Sequence, residues 1–211
     1  MTRRSRICLA LLALAVLVVA SCDSGSDNSG ASKRGHSIEG MLGEIPASAF
    51  DDSGRLQIVT GDLDLATEAA GLKRPAADTD PGSTGLLDDW LLPLKGADRG
   101  FEEKMATLLP DVANHDFVDN GAIADELGWS LVDVHSFIEL QNVPEVFTVL
   151  AADVTAKDLT DAIGPPDHDI WSLGGDDSAI NVDETSAARP LGGSVRMALH
   201  DGLLAMSRST P

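Results

Sequence analysis

From Ile38 onward the apolar residues recur in two different rhythms, helical up to about residue 140 and strand-like beyond Pro144. Leu56-Gln57-Ile58-Val59 is a short strand candidate. Asp62 can cap a helix running through Ala70, with Gly71 at the position just past its end. Lys73–Thr84, rich in Pro, Asp and Gly, reads as an exposed loop. Leu86, Leu87, Trp90, Leu91 and Leu94 keep helical spacing, and Pro93 predicts a frayed or kinked end. Phe101, Met105, Leu108 and Leu109 form another one-sided stripe, stopped by Pro110. Asn120 can cap Gly121–Leu127, which Gly128 closes. Ser130 and Asp133 resemble a capping pair for a further helix carrying Val134, Phe137 and Ile138. Residues 62–140 are therefore expected to be mostly helical.

Val146–Val154 (VFTVLAADV) is a nearly continuous β-prone apolar run, as in a strand buried on both faces. Thr155 and Asp158 cap a short helix with Leu159, Ala162 and Ile163, which Gly164-Pro165-Pro166 ends. Ile170–Leu173 makes a second strand, and a further short one is expected at Ala179–Val182. Val195, Met197 and Leu199 alternate with Arg196, Ala198 and His200, and Asp201-Gly202 supplies a type I′ turn into Leu203–Ser207. The predicted fold class is α+β: a mostly helical N-terminal part, then a β-α-β-β layer ending in a C-terminal β-hairpin. One more helix and one more strand would complete that layer as a ferredoxin-like sandwich. Ser209-Thr210-Pro211 has the residue types of a helix start, so the chain is expected to stop short of the complete fold. A boundary near Asn142–Pro144 and one continuous core both fit the pattern.

The first residues have a different texture. Arg3, Arg4 and Arg6 form a positive segment, and Ile7–Ala20 is an uncharged apolar run of fourteen residues. That run is short for a transmembrane helix, which needs about 20 residues, but suits the apolar core of a secretory signal. Val19-Ala20-Ser21-Cys22 resembles the lipobox of bacterial lipoproteins, in which the Cys is lipidated and becomes the mature N-terminus. Asp23–Ser37 then runs fifteen residues without a large apolar side chain, the composition of a flexible tether spanning about 20–23 Å. The expected organisation is a signal peptide over 1–21, a lipidated Cys22 and tether over 22–37, a mainly helical region over 38–142 and an α+β region over 143–211. A diacylglyceryl group on Cys22 would hold the protein stably on the extracytoplasmic face of the cell membrane, where one acyl chain would hold it only marginally. Cys8 leaves with the signal and Cys22 is blocked, so the mature chain is expected to have no disulfide.

Charge changes the picture of partners. The 211 residues carry 15 Lys and Arg against 34 Asp and Glu, and loss of the three signal arginines leaves a mature net charge of −22. Nucleic acid is excluded as a partner, because its binding rests on cations neutralising phosphates. An anionic membrane surface would repel such a domain. The acidity is read mainly as solubility. Asp176, Asp177, Asp183 and Glu184 lack the spacing and central Gly of an EF-hand.

Known chemistry finds no foothold, and no catalytic, metal or cofactor residue is predicted. His36, His115, His135, His168 and His200 are isolated, and none begins a zinc-hydrolase pair one helical turn apart. His115, His168 and His200 each precede an Asp, which reads as a surface pair. No Ser lies in G-x-S-x-G or three residues before Lys, and there is neither a P-loop nor a dinucleotide fingerprint. Gly174-Gly175 and Gly192-Gly193 read as turns. Asp88-Asp89 and Glu102-Glu103 read as helix surface. Trp90, Trp129 and Trp171 are expected to anchor the core rather than to stack on sugars.

Met41-Leu42-Gly43-Glu44-Ile45-Pro46, Glu126-Leu127-Gly128-Trp129 and the VFTVLAADV strand with its capped helix, together with the lipobox and the five lysines, resemble uncharacterised lipoproteins of actinobacteria. The resemblance covers most of residues 38–211 and implies a location, not an activity. The expected function is non-enzymatic binding at the cell envelope, to a protein or another envelope component. The alternatives are a small-molecule or lipid carrier with an apolar pocket, and a hydrolase whose site the sequence does not betray.

Overall fold

The computed structural model describes residues 37–43, 45, 56–76, 84–94, 107, 109–110, 120–142, 145–174, 181–189 and 192–207. All lie in the compact unit that spans residues 34–211. Cys22, the signal and the tether up to residue 36 fall outside the described residues, as do Ser209-Thr210-Pro211 and most of the stripe that begins at Phe101, while Ser37 at the end of the expected tether accepts from the Gly40 N–H at 3.1 Å.

The chain order is α1 (Ile38–Gly43), β1 (Gln57–Asp62), α2 (Leu63–Ala69), α3 (Thr84–Leu94), α4 (Asn120–Leu127), β2 (Val134–Asn142), β3 (Glu145–Ala152), α5 (Ala156–Ile163), β4 (Ile170–Leu173), β5 (Val195–His200) and β6 (Leu203–Ser207). The strands form one open antiparallel sheet in the order β1-β2-β3-β6-β5-β4. The fold class is α+β. Local chemistry sets many of the element ends. Asp62 accepts from the Leu65 N–H at 2.8 Å to start α2, and Thr155 and Asp158 form a reciprocal capping box at the start of α5. Asp201 and Gly202 both have positive φ, as a type I′ turn between β5 and β6 requires. Gly128 ends α4 at φ +76, where a Cβ would stand 2.4 Å from the Asp158 carbonyl oxygen. That close approach seats the end of α4 against α5.

Three expectations need correction. The helix after Ser130 is a single 3-10 turn, Leu131–Asp133, followed by strand β2. The Ser130–Asp133 pair is present, with Asp133 accepting from the Ser130 N–H at 2.8 Å, but such a pair serves any tight turn. What decides the strand is tertiary: Phe137 and Ile138 are neighbours buried in opposite cores, which a strand allows and a helix does not. The region 38–142 therefore supplies β1 and β2 besides α1–α4, although helix still outnumbers strand among its described residues, and β2 and β3, before and after Val143-Pro144, pair in one sheet.

The second correction concerns topology. In a ferredoxin-like layer, two parallel strands joined by a helix flank a third strand. Here β5 and β6 both lie between β3 and β4, which run antiparallel, and β1-β2 extend the sheet on the far side of β3. Third, of the strand expected at Ala179–Val182, Ala179 and Ile180 lie outside the described residues, and Val182 belongs to a 3-10 turn, Val182–Glu184, and is 68% exposed.

Both sides of the sheet carry apolar cores. Helices α2–α5 cover one side through Leu63, Trp90, Leu127 and Leu159, packed on Phe137, Leu150, Met197 and Leu204. On the other side Met41 and Ile45 pack against Ile138, Leu140, Val149 and Leu203. Trp90, Trp129 and Trp171 are all buried, in agreement with the anchoring role expected of them.

Candidate functional site

The densest group of charged side chains lies where β2 enters the sheet, α2 begins and β3 ends. A register shift between Val134 and Ser136 accompanies His135 at this point. His135 Nδ1 is 2.9 Å from Asp64 Oδ2 in the first turn of α2, and its Nε2 is 3.1 Å from Asp153 Oδ2 just beyond β3. The second contact is close but lies off the hydrogen-bonding direction of the ring nitrogen. Arg74 Nη2 approaches the other Asp64 oxygen at 2.7 Å, and its Nη1 donates to the carbonyls of Val132 and Val134 at 3.0 and 2.6 Å. The guanidinium stands 4.8 Å over the Trp90 ring, whose Nε1 donates to Thr67 Oγ1 at 2.9 Å. Arg74 thus ties the segment after α2 to the start of β2 and to α3. The exposed loop expected over Lys73–Thr84 holds at its start a largely enclosed arginine.

Burial pushes the Arg74 guanidinium down from its ordinary value, while Asp64, Asp133, Asp62 and Asp153 push the other way. A guanidinium starts high enough to stay charged at neutral pH. Burial also raises the Asp133 carboxyl, against the Ser130 N–H and hydroxyl that donate to it, with Asp153 and Asp158 adding to the rise. One fixed cation and one imidazole therefore sit among the carboxylates of Asp62, Asp64, Asp133 and Asp153.

A second polar group organises the loop before β5. Glu126 on α4 accepts from the Ser186 hydroxyl at 2.5 Å and from the N–H groups of Ala187 and Ala188 at 3.1 and 3.3 Å. Arg189 donates to the carbonyls of Gly193 and Gly192 at 2.8 and 2.7 Å and pairs with Glu184 at 2.8 Å. A Cβ at Gly192, where φ is +68, would collide with the Asn181 carbonyl oxygen, so glycine is required there. These contacts fix a loop. They leave Glu126 surrounded by donors from its own chain.

The first group has the chemistry of a tie. Among the described residues, no Ser, Thr or Cys side chain hydrogen-bonds His135, and no group of three or more His, Cys, Asp or Glu side chains is arranged to hold a metal ion. The other described histidines, His168 and His200, are surface residues. His168 lies 2.7 Å from Asp167 in an exposed turn, and His200 lies 3.6 Å from the exposed Asp201. Asp88 and Asp89 are exposed on α3, while His36, His115, Glu102-Glu103 and Asp176-Asp177 lie outside the described residues.

The sequence reading left His135 isolated and did not connect it with Asp64, Arg74 or Asp153. The missing signal was β2. Once β2 and β3 are paired as a hairpin, residue 134 opposes residue 152 and the Asp153 N–H donates to the Asp133 carbonyl, which brings Asp153 close to His135 at the register shift. No local pattern brings in Asp64 or Arg74, which reach the same place from the far side of β1 and α2. No family model, curated protein or solved structure matches the chain.

Proposed function

We propose that the chain is a lipid-anchored, non-enzymatic binding protein of the cell envelope, held on the extracytoplasmic face of the membrane through Cys22. The observation that supports the non-enzymatic half is the closure of the charged group. Asp64 is shared by Arg74 and His135, both ring nitrogens of His135 face carboxylates, and Arg74 also holds two backbone carbonyls. A general base needs a substrate proton within hydrogen-bond reach and a nucleophile needs a base beside it. Here Arg74 is committed to Asp64 and to the backbone, and His135 Nδ1 to Asp64. His135 Nε2, which makes no hydrogen bond, faces Asp153, with no described hydroxyl or thiol bonded to the ring. The anchor rests on the lipobox and tether read from the sequence.

Two measurements test the two halves. Protein extracted from membranes should begin at Cys22 and carry the mass of a diacylglyceryl group, and Cys22→Ser should be released or left unprocessed. A Cys22→Ser chain processed and membrane-held like wild type overturns the anchor. A turnover activity on envelope material that His135→Gln abolishes, in a variant that melts like wild type, overturns the non-enzymatic reading.

A further inference from the structure

The two sides of the sheet differ in charge as well as in cover. On the helical side, Glu68, Asp88, Asp89, Asp125 and Asp161 are exposed carboxylates. On the α1 side the strand positions given by the register are of another kind. Among the described side chains, the charged or titratable strand positions on this side are Asp62 at the end of β1, whose carboxylate caps α2, and Arg196 and His200 on β5. Ile58 shares this side with Leu140, its partner in the β1–β2 ladder, and is 48% exposed. Leu42 of α1 is 39% exposed. α1 itself carries one acidic residue, Glu39. Exposed aliphatic groups occur on both sides, with Leu65 and Leu92 on the helical layer, so what sets the α1 side apart among the described residues is its smaller number of exposed carboxylates.

The chain reaches this side first. α1 begins one residue after the expected tether, and Lys33-Arg34 lies just before it in the sequence. The tether expected over Asp23–Ser37 would span about 20–23 Å, less than the roughly 40 Å width expected of a domain this size. The anchor would therefore restrict how far α1 stands from the bilayer. Near an anionic surface, a tethered acidic domain turns its carboxylate-rich side away.

We infer that the α1 side, with Leu42 and Ile58, rests against the lipid surface and the acidic helical layer faces outward. This orientation rests on the anchored reading above. Among the described residues, the surface it assigns to lipid carries fewer exposed carboxylates than the helical layer, and it is the closer of the two in sequence to the expected anchor. The surface it leaves to an envelope partner is α2–α5.

The test uses the mature lipidated protein in anionic vesicles containing spin-labelled lipid. Single cysteines at Leu42 and Ile58, and at Leu65 and Leu92 on helices α2 and α3, carry an environment-sensitive fluorophore. Quenching by the labelled lipid should be about fivefold stronger at positions 42 and 58, the ratio that one favourable surface charge supplies. Equal quenching at all four positions, or stronger quenching at 65 and 92, overturns the orientation. So does protection of positions 42 and 58 from aqueous quencher without quenching by lipid, which would point to a protein cover. Intact mass separates the two failures: a diacylated chain that gives any of these results refutes the orientation alone, whereas a chain without acyl mass at Cys22 refutes the anchor and the orientation with it.

Discussion

One side of the sheet is closed by helices α2–α5, and the other carries the six-residue helix α1. Both sides bury aliphatic side chains of the same strands, yet they are built to different strengths. On the helical side three tryptophans are buried, and two have their indole N–H groups bonded to threonines, Trp90 to Thr67 and Trp171 to Thr160. Among the described residues, the contact on the α1 side is Met41 and Ile45 on the centre of the sheet, with Ile38, Leu56 and Phe147 around it. A six-residue helix has too few internal hydrogen bonds to persist alone, so α1 exists because the sheet holds it. The helical layer supplies the fold's stability, and the α1 layer is a thin cover that can be perturbed separately.

Adjacent residues of β2 allow the sharpest trial of that contrast. Phe137 is fully buried under the helical layer, and Phe137→Ala should cost about 3–5 kcal/mol in chemical denaturation. Met41 is equally buried, but its helix can shift to fill the space, so Met41→Ala should fall near the lower bound of about 2 kcal/mol. Amide exchange in α1 should accelerate in the Met41→Ala chain while β2 and β3 stay protected. A Met41→Ala loss equal to that of Phe137→Ala would mean that the two layers melt as one.

Arg74 gives the next largest effect, because it joins the segment after α2 to β2 and α3. Arg74→Ala removes an ion pair and two donors to backbone carbonyls, leaving Asp64 and those carbonyls partly enclosed, and should cost about 2–3 kcal/mol. Arg74→Lys should recover little of this, since an ammonium cannot fork between Asp64 and two carbonyls while lying flat on Trp90. Full recovery by lysine in thermal melts would show that only the charge matters.

These elements also show how far the sequence could be read. The C-terminal elements follow from local chemistry: the Thr155–Asp158 box, the continuous apolar strand and the Asp201-Gly202 turn each declare themselves within ten residues. β2 did not, because its apolar residues Phe137, Ile138 and Leu140 are divided between the two layers and follow a valid capping pair. A helix and a doubly buried strand then share one pattern. The error propagated. Without β2, the β3 run had no partner on that side, and His135 had no neighbours. Asp64 and Arg74 are separated from His135 by 71 and 61 positions, and only the folded chain brings the three together.

The cap of α5 tests the helical layer at its edge, and pH sharpens it. The Thr155 hydroxyl donates to Asp158 at 2.6 Å, and this bond is the main reason the Asp158 carboxyl is held below its ordinary value. A carboxyl depressed in the folded state adds stability above its unfolded pKa and loses it as pH falls through the folded value. Thr155→Ala should therefore cost about 1 kcal/mol at neutral pH. The gap from wild type should narrow below about pH 4, where carboxylates begin to protonate. It should not close, because Thr155 Oγ1 also accepts the Asp158 N–H at 3.3 Å, a bond independent of that proton. A gap that widens on acidification would contradict the depressed carboxyl.

The smallest effect belongs to Ile58, where the thin side of the sheet meets its outer edge. Its ladder partner Leu140 is 3% exposed, whereas Ile58 itself is 48% exposed, so two residues facing the same side have opposite surroundings. Ile58→Thr keeps a β-branched side chain and the strand preference while removing apolar surface. Water already reaches about half of that side chain, so the loss of burial on folding is small and the change in stability should stay within about 0.5 kcal/mol. The same substitution at Ile138 would place an unpartnered hydroxyl under α1 and should cost several times more. If Ile58→Thr proves as costly as Ile138→Thr in the free protein, Ile58 belongs to a closed core and the division into a thick and a thin side fails. If it is neutral there but lowers lipid quenching of a probe at Leu42 in the anchored protein, its exposed surface contributes to docking rather than to folding.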